Sequence, residues 1–387
     1  MGLRIEGGLV LVGDGLVEVA VDVAVDVAGG VIAAVDGAGG GGARFGSVLD
    51  ARGLWVLPGI VDLHGDAFER QVQPRPGVGF EAGLALRDTE AQLLANGITT
   101  AFHAVTLSWE PGLRSAEAWR GMVGAMASRR WACDMRLHMR WELHNLDALE
   151  MALGDVAAGR VGMVTFNDHT PSILRKLDTG AGAAKYAGRA GMDVAAFRGL
   201  AERAMGHSGG VAAGAGRLAA AAGAAGIPVG SHDDDTVATR RYYRGLGAGI
   251  CEFPMAEDVA LEARAAGEAV VMGCPNVVRG GSHLGWASAA AMSERGACSV
   301  LVSDYYYPSM VAAALALGRG ALGVAGAWAL VSANPAAAAG LEDRGRIAAG
   351  LRGDLVVVEP GSGAVVATVA GGEVAFMGAA GWGRLRA

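Results

Sequence analysis

Downstream of residue 56, short continuous apolar runs alternate with longer helix-like stretches, and this alternation constrains the fold more than any other feature. The runs fall at 98–105, 135–142, 161–168, 227–231, 249–253, 269–274 and 298–303; with the run that ends at His64 they make eight. Between them, 84–96, 145–158, 211–225, 256–266 and 284–296 carry helical patterning. A strand that is apolar on both faces must be covered on both. In an alternating chain the helices do the covering, which implies a parallel sheet. Eight such units predict an α/β protein built as a closed (β/α)8, TIM-like barrel.

A barrel of this kind takes roughly 250 residues, and the chain has 387. The surplus is β-rich and lies at both ends. Leu9–Val12, Val17–Val27 and Val31–Val35 near the start, and Leu355–Glu359 and Val365–Val369 near the finish, read as strands. They predict a small β-sandwich formed from 1–55 plus 345–387, with 56–344 as the barrel. Residues 176–210 form the largest insertion between strands, expected to lie over the catalytic face as a lid.

Apolar residues make up 52% of the chain and charged residues 18%, a large-core composition that excludes disorder. The net charge of −7 argues against nucleic-acid binding and polybasic membrane docking. Val311–Val331, the most apolar later stretch, is interrupted by Arg319 and glycines and reads as buried helices. Cys133, Cys251, Cys274 and Cys298 show no CxxC spacing and sit in apolar surroundings, as buried free thiols do. With no basic segment followed by an apolar core at the N-terminus, a reducing cytoplasm is the expected location. A homo-oligomer is left open.

Polar residues able to bind metal recur where the predicted strands end, which is where barrels keep their active sites. His64-Gly-Asp66 follows the first strand; side chains alternate along a strand, so both can face one side. Glu142 closes the third, His169 follows the fourth, His232 the fifth, and Asp304 closes the eighth. Carboxylates gathered without partners are costly to bury, and a cation removes that cost. Three or so protein ligands suffice for one catalytic zinc, so six predict a binuclear centre bridged by Glu142. The mixed nitrogen and oxygen set suits two Zn²⁺ best, with Mn²⁺ or Fe²⁺ as alternatives. Asp304 is also the natural proton acceptor from the attacking water. His138, His144 and His207 read as packed or surface histidines. His283, in the glycine-flanked turn beside Arg279, reads as a substrate contact.

The barrel, the ligand pair on strand one and the closing Ser303-Asp304 resemble the amidohydrolase superfamily. So do Ser332-Ala-Asn-Pro335 and Gly345-Arg-Ile-Ala-Ala-Gly-Leu-Arg-Gly-Asp354. A narrower resemblance is to the diphosphatases of the carbon–phosphorus lyase pathway, which act on a ribose triphosphate. It runs through Asp62–Arg70, Pro74–Val78, Asn167–Pro171, Ser231–Thr236, Glu252–Pro254, Pro275–His283 and Ser303–Ser309. The superfamily's common pair is His-x-His, whereas here it is His64-Gly-Asp66. Many members bridge their metals with a carboxylated lysine; neither Lys176 nor Lys185 ends a predicted strand, so Glu142 is the replacement. His169 and His232 follow strands four and five, one earlier than is usual in the superfamily.

The resemblance implies an intracellular, metal-dependent hydrolase of a small anionic phosphorylated sugar. It would cleave the α–β phosphoanhydride and release pyrophosphate, with Asp304 and Glu142 as catalytic groups. Arg75, Lys176, Lys185, Arg279 and His283 are the expected phosphate contacts, with Arg175, Arg240 and Arg241 as further basic candidates. The competing readings are hydrolysis of a C–N bond in a cyclic amide or a base, and a barrel retained as a non-catalytic scaffold.

Overall fold

The computed structural model describes residues 2–26, 29–35, 46–75, 77–180, 182–281 and 288–386. Eight parallel strands form the central sheet: Ile60–Gly65, Ile98–Leu107, Asp134–Glu142, Met163–Asn167, Val229–His232, Ile250–Glu252, Ala269–Gly273 and Val300–Val302. They lie in chain order, each paired with the next. Gly65 bridges Asp304, and the Asp304 amide donates to the His64 carbonyl at 2.9 Å, so the ring closes between the first strand and the residues after the eighth. Every residue of Ile60–Gly65 and of Ile98–Leu107 is buried, as a sheet covered on both faces requires.

Period-two alternation sorts these strands into two cores. Phe102, Met163, Ile250, Val271, Val300 and Val302 pack together inside the barrel. Their neighbours Ala101, Val164, Cys251, Val270, Met272 and Leu301 pack outward against the helices. The third strand fills its inner positions with His138, Arg140 and Glu142 and its outer ones with Leu137, Met139 and Trp141. A polar layer thus lies above the apolar plug, at the strand ends.

The chain's two ends build two further sheets around a separate core that includes Ile5, Val10, Ile32, Val56, Leu355, Val357 and Val369. The strand Trp55–Pro58 pairs with Leu355–Val358 in one of them, and the first barrel strand begins at Ile60. The crossing is tight. A Cβ on Gly59 would meet Thr99 Oγ1 at 2.3 Å, so only glycine fits there.

The insertion between strands four and five is helical: Thr170–Asp178, Ala183–Ala190 and Val194–Met205. Ile173, Leu177, Ala187, Phe197 and Ala201 give it a small core of its own. Trp109 Nε1 donates to Thr170 Oγ1 at 2.8 Å, and Arg189 pairs with Glu110, so the insertion is fastened to the loop after strand two. Among the described residues, no helix is long and apolar enough to cross a membrane. All four cysteines are free and buried.

Candidate metal centre at the strand ends

Among the described residues, three that are not glycine hold positive φ: Asp233 (59°), Phe253 (51°) and Asp304 (54°). They follow strands five, six and eight. The left-handed conformation costs such residues roughly 1–2 kcal/mol, and here it turns the chain sharply off each strand. The functional side chains on either side of these turns are thereby fixed at the mouth.

Two imidazoles converge on one carboxylate oxygen. His64 Nδ1 lies 3.1 Å and His232 Nδ1 3.2 Å from Glu252 Oε2. Ligand bonds of about 2.0–2.1 Å in a tetrahedral zinc site put neighbouring ligand atoms about 3.3 Å apart, so this trio has the spacing a cation needs. Glu252 is fully buried and its Oε1 has no hydrogen-bond partner, a costly arrangement that a bound cation would relieve. Burial, with Arg140 nearby, holds the His64 pKa down to about 3 and that of His232 well below the usual value. Both rings are therefore neutral at neutral pH, the form that binds metal. Burial raises the Glu252 pKa, while His138 and Arg140 oppose the rise.

A second group shares His232. His169 Nε2 and His232 Nε2 each lie 3.6 Å from an Asp233 carboxylate oxygen. His232 Nε2 is already engaged, however: Arg140 Nη2 stands 2.8 Å from it. With the Asn167 amide turned so that its oxygen faces the guanidinium, Arg140 Nη2 also bonds Asn167 at 3.1 Å. His138 braces the floor. Its Nδ1 donates to the Leu63 carbonyl at 3.1 Å, which leaves Nε2 to accept from Thr165 Oγ1 at 2.6 Å.

The structure thus brings together three of the sequence candidates, His64, His169 and His232, and adds Glu252, Asp233 and Arg140, which sequence reasoning did not assign. A period-two reading of His138, Arg140 and Glu142 along one strand would have found Arg140. Glu142, expected as the bridge, is held by the chain after strand four. Its oxygens accept from the amides of His169 and Thr170, both at 3.2 Å, and from Thr170 Oγ1 at 2.6 Å. The helix that starts at Thr170 points its unpaired N–H groups at this carboxylate and claims both oxygens. Asp304 is half-buried beside the mouth. Burial and then Asp66, joined by Asp62 and Asp233 and opposed by Arg140, push its pKa up to about 7. The Asp66 amide donates to the Asp304 carbonyl at 2.9 Å, which ties the two together through the backbone. The first strand's register shifts between Asp62 and Gly65, so simple alternation does not relate His64 to Asp66.

The basic candidates scatter. Arg279 Nη1 donates to the hydroxyl of Tyr305, the residue after Asp304, at 3.4 Å. Arg75 is exposed in the loop after strand one, and Lys176 Nζ bonds Tyr186 Oη at 3.2 Å within the insertion. Lys185 lies on the helix Ala183–Ala190, and His283 falls outside the described residues. Arg240 and Arg241 are not free to hold a substrate. Arg240 is fully buried against Asp234 and Glu268, and Arg241 pairs with Glu262 on the outer helices.

No family model matches the chain. Solved structures with the same fold include molinate hydrolase, at TM-score 0.64 and 14% identity, covering 96% of this chain and 94% of that one. The D-hydantoinase (dihydropyrimidinase) of a Thermus species matches at TM-score 0.56 and 16% identity, covering 98% and 97%. The barrel with its terminal sheets is the fold that these hydrolases share. At closer range, the α-D-ribose 1-methylphosphonate 5-triphosphate diphosphatase of Escherichia coli (strain K12) is 32% identical over 331 residues, 81% of this chain and 86% of that protein. The chain belongs to that diphosphatase family.

Proposed function

We propose that the chain hydrolyses the α–β phosphoanhydride of α-D-ribose 1-methylphosphonate 5-triphosphate to give the 5-phosphate and pyrophosphate. The observation that carries this reading is the relative of that name, 32% identical over 331 residues. A divalent cation, zinc by preference, would be held by His64, His232 and Glu252, since neutral imidazoles and a carboxylate are ligand types that zinc takes. Once bound, it would supply a Lewis acid for a phosphoryl oxygen and acidify the attacking water.

The remaining work falls to the chain's own residues. Asp304, with its pKa near 7, accepts the water's proton as oxygen attacks the α-phosphorus and pyrophosphate leaves. Arg140, a buried guanidinium beside His232, neutralises charge that gathers on the phosphoryl oxygens. It also serves as the site's second positive charge. A neutral imidazole has one lone pair: while His232 Nε2 accepts from Arg140, Nδ1 carries the hydrogen toward Glu252, so a metal taken at Nδ1 would move the hydrogen to Nε2 and release the Arg140 bond. The two-metal arrangement expected from the sequence becomes, in this reading, one metal and one arginine. Glu142 holds His169 in position rather than bridging cations. Arg279, hydrogen-bonded to Tyr305 next to Asp304, is the leading phosphate contact, and Arg75, Lys176, Lys185 and His283 complete the proposed set.

The test is to incubate metal-loaded protein with a ribose 5-triphosphate and, in parallel, with a cyclic amide. Pyrophosphate from the first and no reaction with the second is the expected result. Ring opening or ammonia release, with the triphosphate intact, would move the assignment to C–N hydrolysis.

A further inference from the structure

A cavity of about 410 Å³ opens beside the mouth, lined by none of the residues of the metal centre. Its walls are the loop after strand two (Ser108 to Ala116), the turn after strand three (His144 to Ala148) and the insertion helix Val194–Met205. Two of its lining side chains are buried and short of partners. Asn145 is 5% exposed and its Nδ2 makes no hydrogen bond; His144 is 4% exposed and its Nδ1 makes none. Leaving such donors unpaired costs roughly 1–3 kcal/mol apiece, a cost that a bound ion or water removes. The His144 ring is oriented from its other side, where Nε2 faces Asp168 Oδ1 at 3.4 Å.

The charge balance of the walls favours an anion. Arg120 and Arg203 line the cavity, and neither guanidinium has a hydrogen bond or ion pair among the described residues. Glu110, the buried carboxylate of the wall, is already answered by Arg114 at 3.7 Å and by Arg189. Asp147, exposed at the rim, is the one remaining acid of the lining. Two unpaired guanidiniums thus outnumber the one free carboxylate of the lining, which also holds an amide donor and an imidazole. We propose that this cavity is a second anion site that binds a phosphoryl group, with Arg120, Arg203, Asn145 and His144 as its donors. Forked guanidinium donors match the oxygens of a tetrahedral phosphorus oxyanion. The site stands independently of the reaction assigned to the mouth.

Inorganic pyrophosphate is the probe. It is titrated calorimetrically into the full-length protein, metal-loaded and after chelation, for the parent and for the double variant Arg120→Gln, Arg203→Gln. Both changes are at exposed positions outside the metal centre, and circular dichroism checks that the fold is kept. Binding that survives chelation and weakens by about tenfold or more in the double variant, with a parallel loss in Asn145→Leu, is expected. No binding to the chelated parent, or equal binding by parent and double variant, overturns the proposal. The source of the phosphoryl group is read kinetically. If it is part of the substrate, the double variant raises KM for the ribose triphosphate at unchanged kcat. If it is a free anion, KM stays and only the response to added pyrophosphate is lost.

Discussion

Replacing Arg140 by methionine keeps most of the side chain's length and removes its charge and its donors. In the parent, Nη2 lies 2.8 Å from His232 Nε2 and 3.1 Å from the Asn167 amide oxygen. A metal bound through that nitrogen would sit about 2.0–2.1 Å along the same direction, so the guanidinium and a second cation exclude one another. Displacing the guanidinium breaks its charge-assisted bond to the Asn167 amide oxygen, worth roughly 1.5–3 kcal/mol, which weakens a second metal by about 10- to 150-fold. The parent should therefore retain one zinc per chain after dialysis against limiting free zinc, and Arg140→Met should take up a second through His169, Asp233 and a His232 ring that gives up its remaining hydrogen to hold both ions. Elemental analysis reads this without reference to activity. Two metals in the parent, or no gain in the variant, would refute the reasoning.

Asp304→Asn should abolish turnover and leave the thermal unfolding midpoint close to that of the parent, because the amide cannot accept the proton; full activity with full metal content would remove Asp304 from the base role. Glu142→Gln should destabilise the fold by about 1–2 kcal/mol, since an amide oxygen cannot accept all three helix-start bonds, while zinc content stays unchanged. Loss of zinc in that variant would restore Glu142 as a ligand. His103, buried with both ring nitrogens unpaired, has its pKa lowered by burial to about 4. The unfolded chain takes up its proton near pH 6.5 and the folded chain does not, so stability falls as pH drops from 6.5 towards 4, by about 3 kcal/mol in all. Denaturant titrations should show the parent losing about that much stability relative to His103→Leu over that window; a difference that stays constant would show that His103 is partnered.

The barrel was legible because its signal is coarse and repeated. Each of the eight apolar runs named from sequence overlaps one of the eight paired strands, and none was missed. Strand ends were legible for the same reason, since His64, His169 and His232 each close or follow an apolar run. Partner choice at those ends was not legible. Glu142 and Glu252 both finish inner-facing strands, and only the start of the helix at Thr170 decides that Glu142 spends its oxygens on backbone amides. Arg140 was hidden by the habit of reading arginine as surface, although its period-two spacing from His138 and Glu142 puts it inside. Arg240 shows the reverse error: a basic residue near the aspartate-rich turn after His232, it is fully buried in ion pairs with Asp234 and Glu268.

The claim that rests on most of these residues is hydrolysis at the α-phosphorus. The most direct measurement is phosphorus NMR of a single-turnover reaction run in ¹⁸O-water with metal-loaded protein and the ribose 5-triphosphate. The account predicts two products, sugar 5-phosphate and pyrophosphate, with the isotope shift on the sugar 5-phosphate signal alone. Orthophosphate as the released product, or the label in pyrophosphate, would contradict it.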